Sequence, residues 1–123
     1  IIDNPYITDF GYVDPILKLL IIIEIDEPYS IKDKKPIHID DSKRNDFFLN
    51  LNWIIVRFAE EQIVNNAEDC CNLISDVISI FENANSFNPI LSHNIPIIKK
   101  WNYNSVTNLI NIKYRENYLK NIL

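Results

Sequence analysis

The feature that most constrains the fold of this chain is a nearly continuous apolar run at residues 17–26, LKLLIIIEID. The run is rich in isoleucine, whose β-branched side chain favours strands. An apolar strand without polar alternation is typical of a central strand that is buried on both faces. We therefore expect residues 19–26 to lie in the middle of a sheet, with helices on at least one face. The longest uncharged apolar run, Leu19 to Ile23, is too short to cross a membrane.

The remaining apolar patterns predict strands and helices around that central strand. Residues 53–58 (WIIVRF) predict a second apolar strand, and a helix over about 41–51 precedes it, as in a strand–helix–strand unit. In that helix Phe47, Phe48 and Leu51 share one face and are expected to pack inward. The other predicted elements are a short strand at 7–13, a helical turn at 60–62 and helices at about 67–83 and 104–119, with residues 85–100 irregular. This order predicts an α/β or α+β domain with a small mixed sheet flanked by helices.

The composition is that of an ordinary folded domain, with 47% hydrophobic and 24% charged residues in a chain of 123. The single glycine, Gly11, excludes the Gly-rich loops that cradle phosphates. Cys70 and Cys71 are adjacent, so they cannot form a disulfide framework or a spaced zinc site, and this usage predicts a reducing, cytoplasmic compartment. Because methionine is absent, we expect the chain to be a piece of a longer protein.

Charge is distributed unevenly along the chain. The net charge of −5 does not by itself indicate nucleic-acid binding. The first thirty residues hold six acidic residues and one lysine, whereas residues 97–123 hold five basic residues and one acidic residue. An acidic head is therefore joined to a basic tail. The tail predicts a helix that packs on the sheet through its apolar side and can also contact DNA through Lys113, Arg115 and Lys120.

Two carboxylates at the end of the central strand are the most informative candidates for chemistry. Glu24 and Asp26 are two residues apart, so they point to the same face of a strand. Carboxylates near a core are costly without a partner, and two neighbouring carboxylates also repel each other. A divalent cation removes both costs, and Mg²⁺ prefers carboxylate oxygens. A third carboxylate, Asp9, lies on the preceding predicted strand and can pair beside the end of this one. The alternative is that the central strand leaves the core at Glu24 and its acids meet water.

Three stretches of the chain resemble a known family when they are taken in order. They are ITDFGYVD, IIIEIDEPYS and IDDSKRNDFFLNLNWIIVRFAEEQIV, which together span about residues 7–66. The order of an aspartate near a first strand, an apolar strand ending in E-x-D, a charged loop, a helix and a W-x-V-x-R-F-like strand resembles the PD-(D/E)XK nuclease superfamily. The most similar branch is the very-short-patch-repair-like endonucleases. The resemblance implies a restriction-endonuclease-like core, phosphodiester hydrolysis with Mg²⁺ or Mn²⁺, and DNA as the substrate.

The resemblance also implies roles for individual residues. Asp9 matches the first metal-binding aspartate, and Glu24 matches the acidic residue of the second half of the motif. Asp26 stands where many members carry a catalytic lysine, so the role of that lysine passes to Asp26 as a third metal ligand or to a base elsewhere. Glu27 stands where a glycine often follows E-x-D in this branch.

Three further side chains are candidates for the site, each with a structural alternative. His38, in the loop KPIHI, can act as a general acid or base, or can be a partly exposed loop residue. Arg44 can bind the scissile phosphate or pair with Asp26, or can be a surface charge of its helix. Gln62, after the second apolar strand, can hold a metal-bound water or the substrate backbone. Helix capping is the alternative for the acids beside it, Glu60 and Glu61.

Two functional hypotheses follow for a single domain at residues 1–123, with a core at about 7–84 and a helical extension at about 85–123. In the first, the domain is a metal-dependent DNA endonuclease, a hydrolase in which Asp9, Glu24 and Asp26 hold the cation. In the second, it is a nuclease-like domain that does not cleave and serves protein interaction or nucleic-acid sensing. The expected partners are DNA and either a second copy or a larger parent chain, and no membrane.

Overall fold

The computed structural model of the chain describes residues 6–82, 94–120 and 122. Its centre is a three-stranded sheet in the order β1-β2-β3, in which β1 pairs with β2 antiparallel and β2 pairs with β3 parallel. The strands are β1 (Phe10–Asp14), β2 (Leu19–Asp26) and β3 (Ile54–Ala59), and the helices are α1 (Ser42–Asn50), α2 (Glu60–Glu82), α3 (Tyr103–Asn111) and α4 (Tyr114–Leu119). The predicted mixed α+β fold with a small mixed sheet is confirmed.

Strand β2 lies in the middle of the sheet, as its apolar run predicts. Ile21 and Ile22 are adjacent and therefore point to opposite faces, yet their exposed fractions are only 0% and 1%. Both faces of β2 are thus covered. Glu24, on the same face as Ile22, is also buried. The strand therefore carries a carboxylate into the core before it ends.

Helix α1 makes the connection between the parallel strands β2 and β3. Its Phe48 is buried and Phe47 is half-buried, and their rings meet edge-to-face with centroids 5.2 Å apart. Tyr6 joins them at 5.3 Å from Phe47. The inward packing predicted for this helix is confirmed, and it fixes the start of α1 close to the end of β2.

The structure differs from the sequence prediction at three element boundaries. Strand β1 begins at Phe10 rather than residue 7, so Asp9 precedes it. Helix α2 is continuous from Glu60 except at Asn66, whose φ of −139° is not helical and whose side-chain amide donates to the carbonyl of Asn94. The helix expected over 104–119 is two helices, because Lys113 adopts a left-handed conformation with φ 54° between them. Asparagine has a lower helix propensity than most residues, in agreement with the interruption at Asn66.

The C-terminal segment shares the core with the loop between β2 and α1. Tyr29 of that loop forms one buried cluster with Trp101 and Val106, and Ile39 packs against it. Residues 94–102 have no regular secondary structure, as expected, until Asn102 and Ser105 form a reciprocal capping box that begins α3. The expected irregular residues 85–93, with His93 and Pro89, lie outside the described residues. None of the described helices is long and apolar enough to cross a membrane.

An ion-pair network, which we call the closed network, joins α4 to the start of α2. Arg115 donates to both carboxylate oxygens of Glu60, from Nε at 2.8 Å and from Nη2 at 2.9 Å. The hydroxyl of Tyr118 donates to Glu60 at 2.8 Å, and that of Tyr29 donates to Glu116, which also pairs with Lys34. Burial raises the pKa of Tyr118, and its hydrogen bond to Glu60 raises it further. Glu60 therefore binds α4 to the start of α2, in addition to being an acidic residue in the first turn of α2.

Candidate functional site

A second group of charged side chains lies where the parallel strands β2 and β3 end and α1 begins. Asp26 is the last residue of β2, Asp41 immediately precedes α1, and Arg57 lies near the end of β3. Ligands of α/β sheets bind outside the carboxyl ends of parallel strands, because the loops there leave a crevice. The position is therefore one where a functional site is expected.

Arg57 connects the members of this group. Its Nε donates to Oδ2 of Asp26 at 2.9 Å and its Nη2 to Oδ1 of Asp26 at 2.7 Å, which is a bidentate pair. Nη2 also donates to Asp41 at 2.8 Å, and Nη1 donates to the side-chain carbonyl of Asn45 at 2.7 Å. Burial acts to lower the pKa of Arg57, but the hydrogen bond to Asp26 and the surrounding carboxylates outweigh it and raise that pKa. Arg57 is thus a permanent cation at this site.

His38 completes the group, which we call the pocket network: Asp26, His38, Asp41 and Arg57. Nδ1 of His38 lies 3.1 Å from Oδ2 of Asp41 and 3.4 Å from Oδ1 of Asp26. The backbone of His38 is in the left-handed region with φ 54°, which is uncommon for residues other than glycine. Strained backbone of this kind is concentrated at functional sites. The structure thereby brings the predicted candidate His38 against the predicted candidate Asp26.

The pocket network contains donor atoms suited to a cation. One ligand atom each from Asp26, His38 and Asp41 lies within 4.8 Å of the others. Two carboxylates suit Mg²⁺ or Mn²⁺, and the imidazole nitrogen favours Mn²⁺ over Mg²⁺. The donor chemistry therefore fits a divalent cation, and two carboxylates against one arginine leave one negative charge.

Glu24 is separated from this group by its own arginine. Nη2 and Nε of Arg44 donate to Oε1 of Glu24 at 2.7 and 3.2 Å, and the Glu24 residue is 2% exposed. The Arg44 guanidinium also lies over the rings of Tyr6 and Phe48. Of the roles left open for Arg44, the structure places it in an ion pair, with Glu24 rather than Asp26. The two neighbouring carboxylates on β2 are each neutralised by an arginine of the chain.

Asp9 is held by the backbone of β2. Its Oδ2 accepts a hydrogen bond from the N–H of Ile25 at 2.8 Å, between Glu24 and Asp26 in sequence. Among the described residues, the three side chains whose ligand atoms lie within 4.8 Å of one another include Asp26 but neither Asp9 nor Glu24. The structure therefore does not bring Asp9, Glu24 and Asp26 together as one such ligand set, because each has a different partner within the protein.

A pocket of about 340 Å³ opens beside the pocket network. Its polar side includes Asp26, His38, Arg57 and Gln62. Its apolar side is formed by residues 95–98 and Trp101, and Lys100 also lines the pocket. Gln62 anchors this apolar side, because its amide nitrogen donates to the carbonyl of Pro96 at 2.8 Å while its oxygen accepts from Ala59 at 2.9 Å. Both polar ends of Gln62 thus have partners within the protein.

Two members of the site were not assigned to it from the sequence. Asp41 fits a helix cap, yet among the described contacts it makes no side-chain capping bond, and its carboxylate turns to Arg57 and His38. Arg57 lies in the stretch WIIVRF that supports the family resemblance, where its only visible signal is a charge inside an apolar strand. An arginine in an apolar strand can indicate an ion pair with an acidic residue at the end of the neighbouring parallel strand.

Comparison of the chain with protein-family models, with curated proteins and with solved structures gave no significant match. The family resemblance accordingly depends on the residues of this sequence alone. Function must therefore be argued from the site.

Proposed function

We propose that this domain is a metal-dependent DNA endonuclease that hydrolyses phosphodiester bonds, with the cation held by Asp26, His38 and Asp41. The observation that carries the proposal is the convergence of two carboxylates and an imidazole within 4.8 Å beside a pocket at the carboxyl ends of parallel strands. Asp26 also belongs to the E-x-D end of the apolar strand on which the resemblance to nucleases depends, and this adds support. Mn²⁺ suits the mixed oxygen and nitrogen donors at least as well as Mg²⁺.

The residues around the pocket supply complementary roles. A bound divalent cation would neutralise phosphate charge and favour hydroxide formation at neutral pH. Lys100 lines the same pocket and can contact a phosphate, and the planar fork of Arg57 would become available to one where a cation takes Asp26 and Asp41 from it. His38 carries an imidazole that can accept or donate a proton. The chain thus combines anionic groups for a cation with cationic groups for a phosphate.

A nuclease-like domain that does not cleave is the second candidate, and a specific observation favours it. Arg44 neutralises Glu24, and Arg57 neutralises Asp26, so neither carboxylate on β2 needs a cation to be stable. Under this alternative Arg57 stays on Asp26 and Asp41, and the domain binds a partner without hydrolysis. The two candidates differ in whether a divalent cation binds.

A cleavage assay with a matched pair of variants separates these candidates. Supercoiled plasmid and labelled oligonucleotides are incubated with the protein and either Mg²⁺ or Mn²⁺, alongside Asp26→Asn and Asp46→Asn. Asp46 is an exposed carboxylate on α1 and serves as the control. We expect cleavage by the wild type and by Asp46→Asn, and none by Asp26→Asn, because it lacks one of three ligands.

Thermal unfolding with and without Mn²⁺ gives a second readout that does not depend on the DNA chosen. A cation that binds the folded state raises the melting temperature through linkage. We expect that rise in the wild type and in Asp46→Asn, and a smaller rise in Asp26→Asn. Absence of both cleavage and any Mn²⁺ response in the wild type would contradict the endonuclease and favour the non-cleaving domain.

A further inference from the structure

The C-terminal segment holds the loop that presents His38. The indole N–H of Trp101 donates to the backbone carbonyl of Ile37 at 2.8 Å, across 64 positions of sequence. Trp101 is 9% exposed and belongs to the buried cluster with Tyr29 and Val106. The residue after His38, Ile39, packs against that same cluster. Both neighbours of His38 are therefore fastened to the same buried group.

His38 itself has the backbone conformation that most needs such support. A residue other than glycine in the left-handed region is disfavoured and persists only when its surroundings determine it. The N–H of Ile37 donates to the carbonyl of Pro28 at 3.0 Å, so the residue before His38 is held both at its backbone N–H and at its carbonyl oxygen. With the backbone fixed on both sides, the His38 ring is directed at Asp26 and Asp41.

We propose that Trp101 is a positioning residue for His38, acting through the carbonyl of Ile37 and the packing of Ile39. The proposal rests on the proposed function, since it assumes that His38 works in the site. It assigns the segment around Trp101 to the functional unit, although the sequence resemblance ends near residue 66. Loss of the indole donor should let the 37–39 backbone leave its conformation and release the ring of His38 from its two carboxylates.

The rate at which the His38 imidazole is chemically modified tests the positioning role of Trp101 without DNA. Diethyl pyrocarbonate modifies accessible imidazoles, and peptide mass mapping follows His38 separately from His93. Trp101→Phe keeps an aromatic ring but removes the N–H donor, and we expect modification of His38 to become about fivefold faster, as loss of one ordinary hydrogen bond implies. Val106→Ala is the control, because it weakens the same buried cluster but leaves the bond to Ile37 intact.

The outcomes separate positioning from general destabilisation. An unchanged rate in folded Trp101→Phe overturns the proposal, and so does an equal increase in Val106→Ala at matched melting temperature. Ile39→Ala provides a second variant should Trp101→Phe fail to fold, because it loosens the other neighbour of His38 and is expected to raise the rate about twofold. No acceleration in folded Ile39→Ala would then count against the proposal.

Cleavage assays link the inference to the proposed function while keeping the two distinguishable. If the wild type cleaves DNA, Trp101→Phe should cleave more slowly, and the double variant with His38→Gln should be no slower than His38→Gln alone. Additive losses would contradict positioning through His38. If the wild type does not cleave, the proposed function fails, and the modification rates still decide whether Trp101 positions His38.

Discussion

Two bidentate arginine–carboxylate pairs among the described residues have almost the same geometry and different surroundings. In the pocket network Arg57 binds Asp26 at 2.7 and 2.9 Å, and in the closed network Arg115 binds Glu60 at 2.8 and 2.9 Å. The four side chains are between 16% and 20% exposed. Pair geometry and burial therefore do not distinguish the two networks.

Their neighbours do distinguish them. In the closed network the remaining partners are tyrosine hydroxyls and Lys34, so acids and bases balance and every group serves to join α4 to the start of α2 and to the loop after β2. In the pocket network the arginine faces a second carboxylate, Asp41, and the imidazole of His38, beside a pocket. Left-handed backbone occurs in both networks, at Lys34 and at His38, so the difference lies in charge: surplus negative charge is a cost to folding that a purely structural network does not need. This comparison favours a functional role for the pocket network.

The largest expected effect on stability comes from a variant that breaks the closed network. Glu60→Gln leaves three donors, two from Arg115 and one from Tyr118, facing a neutral amide, and among the described contacts Arg115 has no second carboxylate. We expect the free energy of unfolding, measured by urea titration, to fall by about 3 kcal/mol. Asp26→Asn should cost only about 1 kcal/mol, because Asp41 and Asn45 still bind Arg57. Equal losses in the two variants would show that the networks are equivalent.

How much of this architecture was predictable depends on whether a feature is local in sequence. The apolar run of β2 and the spacing of Phe47 and Phe48 in α1 determined the central strand and the packed helix, because burial periodicity is a local signal. The break at Lys113 was not predictable, since lysine has no preference for the left-handed region that it adopts between α3 and α4.

The site was predictable in part for the same reason. Asp26 and His38 were candidates because acids at a strand end and a loop histidine are visible as residue types. The partners of each charge depend on contacts between distant positions, such as Arg57 with Asp26 across 31 residues and Trp101 with Ile37 across 64. A carboxylate that lacks a visible partner in the sequence can be neutralised by an arginine as well as by a cation, and only the fold distinguishes these.

A double-mutant cycle sharpens the claim that the pocket network has surplus acid. Asp26→Asn and Asp41→Asn each leave Arg57 one carboxylate, whereas the double variant leaves it none among the described contacts. We expect the double variant to lose about 1–2 kcal/mol more than the sum of the single variants in urea unfolding. Strict additivity would mean that the second acid does not substitute for the first. A gain of stability in either single variant would show that the two carboxylates repel more than Arg57 compensates.

The smallest expected effect concerns the outer edge of the closed network and its dependence on pH. Hydrogen bonds from Lys34 and from Tyr29 lower the pKa of Glu116 from its ordinary value of 4.5 to about 2. A carboxylate whose pKa is lower when folded adds stability above its unfolded pKa, and this stability is lost as the pH falls through the folded value. Glu116 faces solvent in part, so screening limits its contribution to about 0.5–1 kcal/mol.

Comparison of the wild type with Glu116→Gln isolates that contribution from all other titrating groups. Above about pH 5 Glu116 is ionised in both states, so the wild type should exceed the variant by a constant margin. Between about pH 4.5 and 2 the unfolded chain binds the proton first, so the margin should shrink with falling pH and nearly vanish at the lower end. A margin that stays flat down to pH 3 would place Glu116 outside the closed network. A margin that shrinks as expected would show that Glu116 is held in the folded protein as a paired carboxylate of the closed network.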